Sequence, residues 1–473
     1  MLVLIALLAA VQDHGDHAPG EPRLGQVRFD STCNATAQPL FLRGLAWLHS
    51  FEYDDAERDF AAAAAADPKC GIAYWGIAQT QYHPLWAPPS PAEIAKGRAA
   101  LEQAKSAGAG PREQAYIEAL ATFYRGADRT HKARVLDYVS AMERLHRNFP
   151  DDLEAGVFYS LALIAAGTTD DDPSYGRERA AAAILNRALV VAPDHPGVAH
   201  YLIHGYDYPA LAHLALPAAR RYAGIAPASA HAQHMPSHIF VRLGLWQEMI
   251  KSNQAAESAA LAYAASRKMA GSWDERLHAM DYLIYGYLQA GDDRAAKRVL
   301  DALLTITRVD PSNFKVAYAV TAIPARYALE RRRWEEAADL TLSDQTRMLV
   351  PWPRFRWAEA QLHLARAIGA ARTGRALSAR QEVDRMVEIE QALVTAPGEY
   401  DWKGQVSIQR QTAEAWTLYA EGKTAEGLAL MRSAAELDDR SEKHPVTPGS
   451  IAPAREQLGE LLLELGRPAD ALV

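Results

Sequence analysis

Histidines are the side chains here whose spacing could do chemistry. His200 and His204 lie four apart, as do His234 and His238, and His231 stands three before His234. Residues three or four apart share one face of an α-helix, so each set presents its imidazoles as a stripe. From His200 to His234 is 34 residues, from His204 to His238 is 34 again, and His49 to His83 repeats the interval. Pairs separated by one fixed period mark the same helical position in successive structural repeats. A third copy follows, in which His278, Asp281 and Tyr285 keep the 3-then-4 spacing of His231, His234 and His238, 47 residues later. The 13 residues beyond one period are assigned to a longer second helix.

Converging imidazoles from neighbouring stripes are suited to holding a metal ion. The primary candidates are His200, His204, His231, His234, His238, His278 and Asp281. Asp207, three after His204, either ligates or orients a ligand ring. His49, His83 and His444 are secondary candidates, and the first two reach the site only if the array curls. Imidazole-rich ligation suits a divalent transition metal, zinc or copper first, with iron left open by the added carboxylate. Crowded, partly buried imidazoles depress one another's protonation, which leaves neutral rings fit for ligation. The competing account makes these histidines hydrogen-bonding contacts in a groove that takes a peptide, a partner protein or a small ligand. No zinc-finger, HExxH, CxxCH, Walker A, GxGxxG or GxSxG pattern occurs, so no reaction is assigned and catalysis is left open.

The scaffold that must position these rings is all-helical. Ala, Leu, Glu and Arg are abundant, hydrophobic residues make up 49% and charged residues 23% of the 473, and no window alternates long enough for a strand. A net charge of −8 without a basic cluster argues against nucleic acid as a partner. The first clear unit is GLAWLHSFEYDDAERDFAAAAAADP, residues 44 to 68, with Gly44, Trp47, Tyr53, Ala56, Phe60 and Pro68 at the small, aromatic and proline positions of a 34-residue helical hairpin. Small residues let two antiparallel helices approach, aromatics fill the gap beside them, and the proline ends the second helix. In these residues the chain resembles the tetratricopeptide-repeat superfamily, and the resemblance recurs loosely to the C-terminus. HPGVAHYLIH, HAQHMPSHIFVRLGLW, YWGIA and EKHPVTPG are similar to motifs of a group of bacterial tetratricopeptide-repeat proteins, mostly predicted to be exported. The resemblance implies a right-handed solenoid of helical hairpins, not a reaction. It also implies that first helices line a concave groove. In that frame His200 and His204 fall at groove positions 5 and 9, and His231, His234 and His238 at positions 2, 5 and 9, facing solvent.

Three further expectations concern organisation. Residues 2 to 11, LVLIALLAAV, fit the apolar region of a secretory signal, so residues 1–36 read as a signal peptide with a flexible leader. Residues 37–345 read as the histidine-bearing array and 346–473 as a second array, with no membrane span anywhere. Cys33 and Cys70 fall at the same end of neighbouring helices, where a disulfide and two reduced thiols are both open. Pro236 should kink the helix carrying His231, His234 and His238. Lys443-His444-Pro445-Val446-Thr447-Pro448-Gly449 is too proline-rich for a helix and should form a loop before the last hairpin.

Overall fold

The computed structural model describes residues 22–126, 128–169, 172–395 and 400–472, so the expected signal segment lies outside the described residues. The chain is a solenoid of antiparallel helical hairpins. The first five pair α1 (Ala37–His49) with α2 (Tyr53–Ala66), α3 (Gly71–Gln79) with α4 (Pro91–Ala107), α5 (Pro111–Tyr124) with α6 (His131–Asn148), α7 (Leu153–Gly167) with α8 (Gly176–Val191), and α9 (Pro196–Tyr206) with α10 (Ala212–Ile225). The sixth is broken on its first limb, where α11 (Ala230–His234) and α12 (Pro236–Arg242) both pack on α13 (Trp246–Ser266). Next come α14 (Asp274–Gln289) with α15 (Asp293–Leu304), then α16 (Phe314–Glu330) and the short α17 (Trp334–Ala338) and α18 (Asp344–Arg347). The array ends with α19 (Arg356–Arg372) and α20 (Ala376–Ala392), α21 (Trp402–Ala420) and α22 (Thr424–Asp438), and α23 (Ala454–Glu464) and α24 (Pro468–Ala471). Among the described residues the only sheet is a two-residue parallel pairing of β1 (Ser272–Trp273) with β2 (Val309–Asp310).

Local chemistry explains the hairpins. Gly44 of α1 faces the Phe60 ring of α2 so closely that a Cβ would sit 2.8 Å from it, which is why the first unit needs a small residue there. Side-chain caps start many helices: Asp152 accepts from the Ala155 amide, Asp292 from Ala295 and Ser229 from Ala232. The expected proline effect is stronger than a kink. Pro236 offers no amide to the preceding turn, so the helix breaks at Met235 and restarts with the proline in its first turn.

The array curls until distant parts meet. α1 packs against α9. At that crossing Gly197 lies against the His49 ring, where a Cβ would clash. Glu52, just after α1, accepts from the Ser229 hydroxyl at 2.7 Å, and Asp55 from the Tyr263 hydroxyl at 2.8 Å. The other end returns as well. The loop between α22 and α23 is held by Arg326, which donates to the carbonyls of Gly449 and Ser450, and by Tyr318, which donates to Gly449 at 3.0 Å. That loop carries the proline-rich motif, as expected.

One expectation needs correction. Residues 22–36 are no flexible leader: Leu24 and Phe29 are buried, and Phe29 packs edge-on to Phe41 and Tyr116. The apolar core forms two clusters that meet around α13 and α14, while Leu349 and Val350, at the expected boundary, lie inside the second cluster. Cys33 and Cys70 form a disulfide with Cα atoms 4.6 Å apart. Among the described residues no helix is long and apolar enough to cross a membrane.

Candidate metal centre

First helices of three consecutive hairpins bring six histidines together in two adjoining triads. His200, His204 and His231 form one and His234, His238 and His278 the other. Within each triad one ligand-capable atom per residue lies within 4.8 Å of the others. In the first, the His200 Nε2 stands 3.0 Å from His204 Nε2 and 3.2 Å from His231 Nε2. In the second, His234 Nε2 and His238 Nε2 are 3.0 Å apart. The triads adjoin along two edges, with ring centroids 6.4 Å apart for His204 and His238 and again for His231 and His234.

Outer partners fix which nitrogen carries the proton. His200 Nδ1 is 2.7 Å from the carbonyl oxygen of His49, which can only accept, so Nδ1 holds the hydrogen and Nε2 presents a lone pair. His238 Nδ1 donates to the Asp207 carboxylate at 3.0 Å. His234 Nδ1 faces Asn253 Oδ1 at 2.7 Å, and that amide is oriented by its own donation to the Met249 carbonyl. His234 and His238 therefore aim two lone pairs at each other across 3.0 Å. The Tyr282 hydroxyl, 3.4 Å from His238 Nε2, is close enough to supply a weak donor to one of them. A cation between the two nitrogens would turn the repulsion into ligation.

These rings are buried rather than solvent-facing. His200 is 0% and His234 1% exposed, His231, His238 and His278 are also buried, and His204 is half-buried. Burial is the first cause that lowers the pKa of all six; neighbouring histidines add to it for five of them, and for His238 Lys443 and Arg242 add to it while Asp207 pulls the other way. His204 is pushed down to about 3 by burial and then by His238. The groove expected to be open is closed by chain from elsewhere. Leu85, Trp86, Phe314, Lys315, Pro445 and Val446 wall a cavity of about 30 Å³ against His204, His231, His238 and His278. Phe51 covers the first triad from a left-handed backbone conformation (φ 56°), which costs a bulky residue energy, its ring 4.4 Å from His200 and stacked on His204 and His231. Tyr222 stacks on His200, centroids 5.0 Å apart.

The remaining sequence candidates take other places. Asp281 stands outside both triads and faces Arg326, 3.7 Å away, with burial pushing its carboxyl up to about 6 against the pull of that guanidinium. Asp207 orients His238 and is held by Arg242 at 2.9 Å and by Lys443 at 3.8 Å. His49 serves through its carbonyl, while its ring joins Glu154 and His195 in a separate buried cluster. His83 lies outside the triads, its Nε2 donating to the Thr80 carbonyl and its ring tilted on Tyr53. His444 turns away into a cage of Phe314, Tyr400 and Trp402, stacked 5.0 Å from Trp402. Its neighbours Lys443, Pro445 and Val446 face the site instead.

Sequence reasoning missed Asn253, Glu154, His195, Tyr282 and Trp86. His195 opens the HPG motif and caps α9, a signal that reads as a turn residue. Glu154 is the acidic residue of an otherwise apolar helix, which is a usable sign of a buried partner.

Neither a family model nor a curated protein matches the sequence. The fold is similar to solved helical-repeat structures at low identity. A human IFIT1 dimer with m7Gppp-AAAA is 10% identical over 85% of this chain and 88% of that one, TM-score 0.39. Yeast Tom70 is 11% identical over 92% and 90%, TM-score 0.31, and the TPR domain of P58(IPK) is 13% identical over 92% and 99%, TM-score 0.20.

Proposed function

We propose that this chain is a metalloprotein whose six histidines hold two transition-metal ions side by side. His200, His204 and His231 take one ion, and His234, His238 and His278 the other. The observation that carries the reading is the pair of Nε2 lone pairs of His234 and His238, fixed 3.0 Å apart by donations to Asn253 and Asp207. Two buried lone pairs at this distance repel unless a proton or a cation lies between them, and burial disfavours the proton on both rings. Zinc and copper are the first candidates and iron follows, because every ring atom offered is an imidazole nitrogen. Three protein ligands leave each ion an open position, so the arrangement is compatible with an enzyme without naming its reaction.

The rival reading, a scaffold that uses these rings to contact a peptide, is disfavoured by their burial. What favours a ligand nearby is a cleft of about 710 Å³ on the far side of Leu85, Trp86 and Pro445, lined also by Tyr400, Asp401, Lys132 and Arg440. A small or extended ligand bound there would lie next to the metal chamber without touching it. The Cys33–Cys70 disulfide favours an oxidising compartment and so an exported protein. Net charge −8 favours partners other than nucleic acid.

The test is elemental analysis of the purified full chain after incubation with zinc or copper. Two ions per chain and a raised melting temperature are expected. Failure of both metals to bind or to stabilise would remove the reading.

A further inference from the structure

Resting on the metal reading, we infer that the two ions are copper and that the chamber binds one dioxygen molecule between them. Charge is the first argument. All six proposed ligands are imidazoles, and the carboxylate that touches one of them, Asp207, is already matched by Arg242 and Lys443. Glu275, which also borders the cavity, shares the single Lys315 ammonium with Asp274, so no more than one carboxylate charge from this group is left to set against the ions. The charge of the ions is therefore left largely uncompensated in a buried space, and burying uncompensated charge is costly. Among metals that imidazole holds well, copper can enter as a monovalent ion, and three nitrogen ligands satisfy it.

The second argument is the reaction that such a pair supports. Two Cu(I) ions and one O2 give two Cu(II) ions and one bound peroxide. Each copper loses one electron, the oxygen–oxygen bond falls from double to single, and no proton or outside reductant is required. The summed charge of ions and ligand is unchanged by the step, so a chamber tuned to the reduced pair also tolerates the oxygenated one. Zinc offers no such electron, and iron pairs that handle oxygen are commonly bridged by carboxylates that the triads lack.

The third argument is the cavity. At about 30 Å³ it has room for one small molecule, and its wall beyond the histidines is mainly apolar, from Leu85, Trp86, Met235, Phe314, Pro445 and Val446. An apolar space of that size suits a dissolved gas better than a polar substrate. Larger molecules are stopped at the wall of Leu85, Trp86 and Pro445 that the cavity shares with the 710 Å³ cleft.

The experiment loads the metal-free full chain with Cu(I) under anaerobic conditions, measures bound copper, and then admits oxygen. Two coppers per chain are expected, with one O2 consumed per copper pair, a new intense near-ultraviolet absorption band, and no Cu(II) signal in electron paramagnetic resonance because the two spins couple. His83→Ala, outside the triads, should match the parent, whereas His238→Ala should retain one copper and lose oxygen uptake. Should that variant fold poorly by circular dichroism, the parent's copper-to-oxygen ratio still decides. Two bound coppers without oxygen uptake would overturn this inference and leave the paired-metal reading standing. Two zinc ions bound with Cu(I) rejected would do the same. No metal bound at all would remove both.

Discussion

Two buried histidine clusters sit a few residues apart in this protein, and they are built on opposite rules. In the first, Glu154 accepts from His49 Nε2 and from His195 Nε2, each at 2.8 Å, while Tyr201 donates to His49 Nδ1 and the Val198 amide donates to His195 Nδ1. Every ring nitrogen meets a complementary partner, and the carboxylate is held below the usual range because the attraction of the two rings outweighs its burial. In the second, the nitrogens of the two triads meet one another. Both clusters pass a distance test for metal ligands. Donor and acceptor bookkeeping separates them: the Glu154 cluster is complete as it stands, whereas His234 Nε2 and His238 Nε2 face each other with one weak donor, the Tyr282 hydroxyl, beside them. Composition and burial alone would have scored them alike.

The comparison breaks most sharply under double substitution. Replacing His204 and His238 together should abolish stoichiometric metal binding with helicity intact, as read by elemental analysis and circular dichroism. Retention of both ions in that variant would show that the triads are not the ligands. The complementary change, Glu154→Ala, should leave metal stoichiometry at its parent value in whatever fraction folds. It should also cost about 3–5 kcal/mol in urea denaturation, since two hydrogen bonds to a buried carboxylate are lost and two rings are left unmatched. Loss of metal from well-folded Glu154→Ala would move that cluster into the site.

Asp207→Asn is a finer cut. The amide can still accept from His238 Nδ1 but no longer raises the ring's basicity, so metal affinity should fall by about 10- to 100-fold in a competition titration. An unchanged affinity would mean that Asp207 serves only Arg242 and Lys443. The metal-free protein should also depend on pH. The six site histidines are lowered in the folded state, so below pH 6.5 the unfolded chain takes up protons that the buried rings refuse. Stability is therefore fully present above about pH 6.5 and falls as pH drops toward about 3, the value to which His204 is pushed. The triads and the Glu154 cluster share this sign for their lowered rings, but bound metal should delay the loss only through the triads. A melting profile with identical acid slopes with and without metal would contradict that.

How far the sequence alone reached depends on which residues are asked about. The 34-residue interval placed His200, His204, His234 and His238 on first helices of neighbouring hairpins, because one repeat is one turn of the same packing problem. The 3-then-4 spacing carried His278 into the site and misplaced Asp281. Spacing fixes a side chain's angle around its helix, but Arg326 on α16 claimed that carboxylate. The expectation of a solvent-facing stripe failed for a similar reason. Trp86 and Val446 close the chamber, and Phe51 covers the first triad, from segments far from the histidines in the chain, and no local pattern encodes a contact of that separation. Asn253 was invisible because it lies on the second helix of its hairpin, within a polar run that reads as surface. Low identity to every solved neighbour adds nothing about these side chains, so the site had to be read from its own hydrogen bonds.

The closing loop also orders events in time. Synthesis runs from the N-terminus, so all six triad histidines leave the ribosome well before Pro445 and Val446, which wall the chamber. Arg326, which clamps that loop by the carbonyls of Gly449 and Ser450, is likewise made before the residues it grips. There is thus an interval in which the rings exist and the lid does not, and ions delivered during it meet open ligands. A full-length chain that has closed without cargo must first open that loop, so the metal-free protein should load completely but slowly, and the rate of loading should matter as much as the affinity.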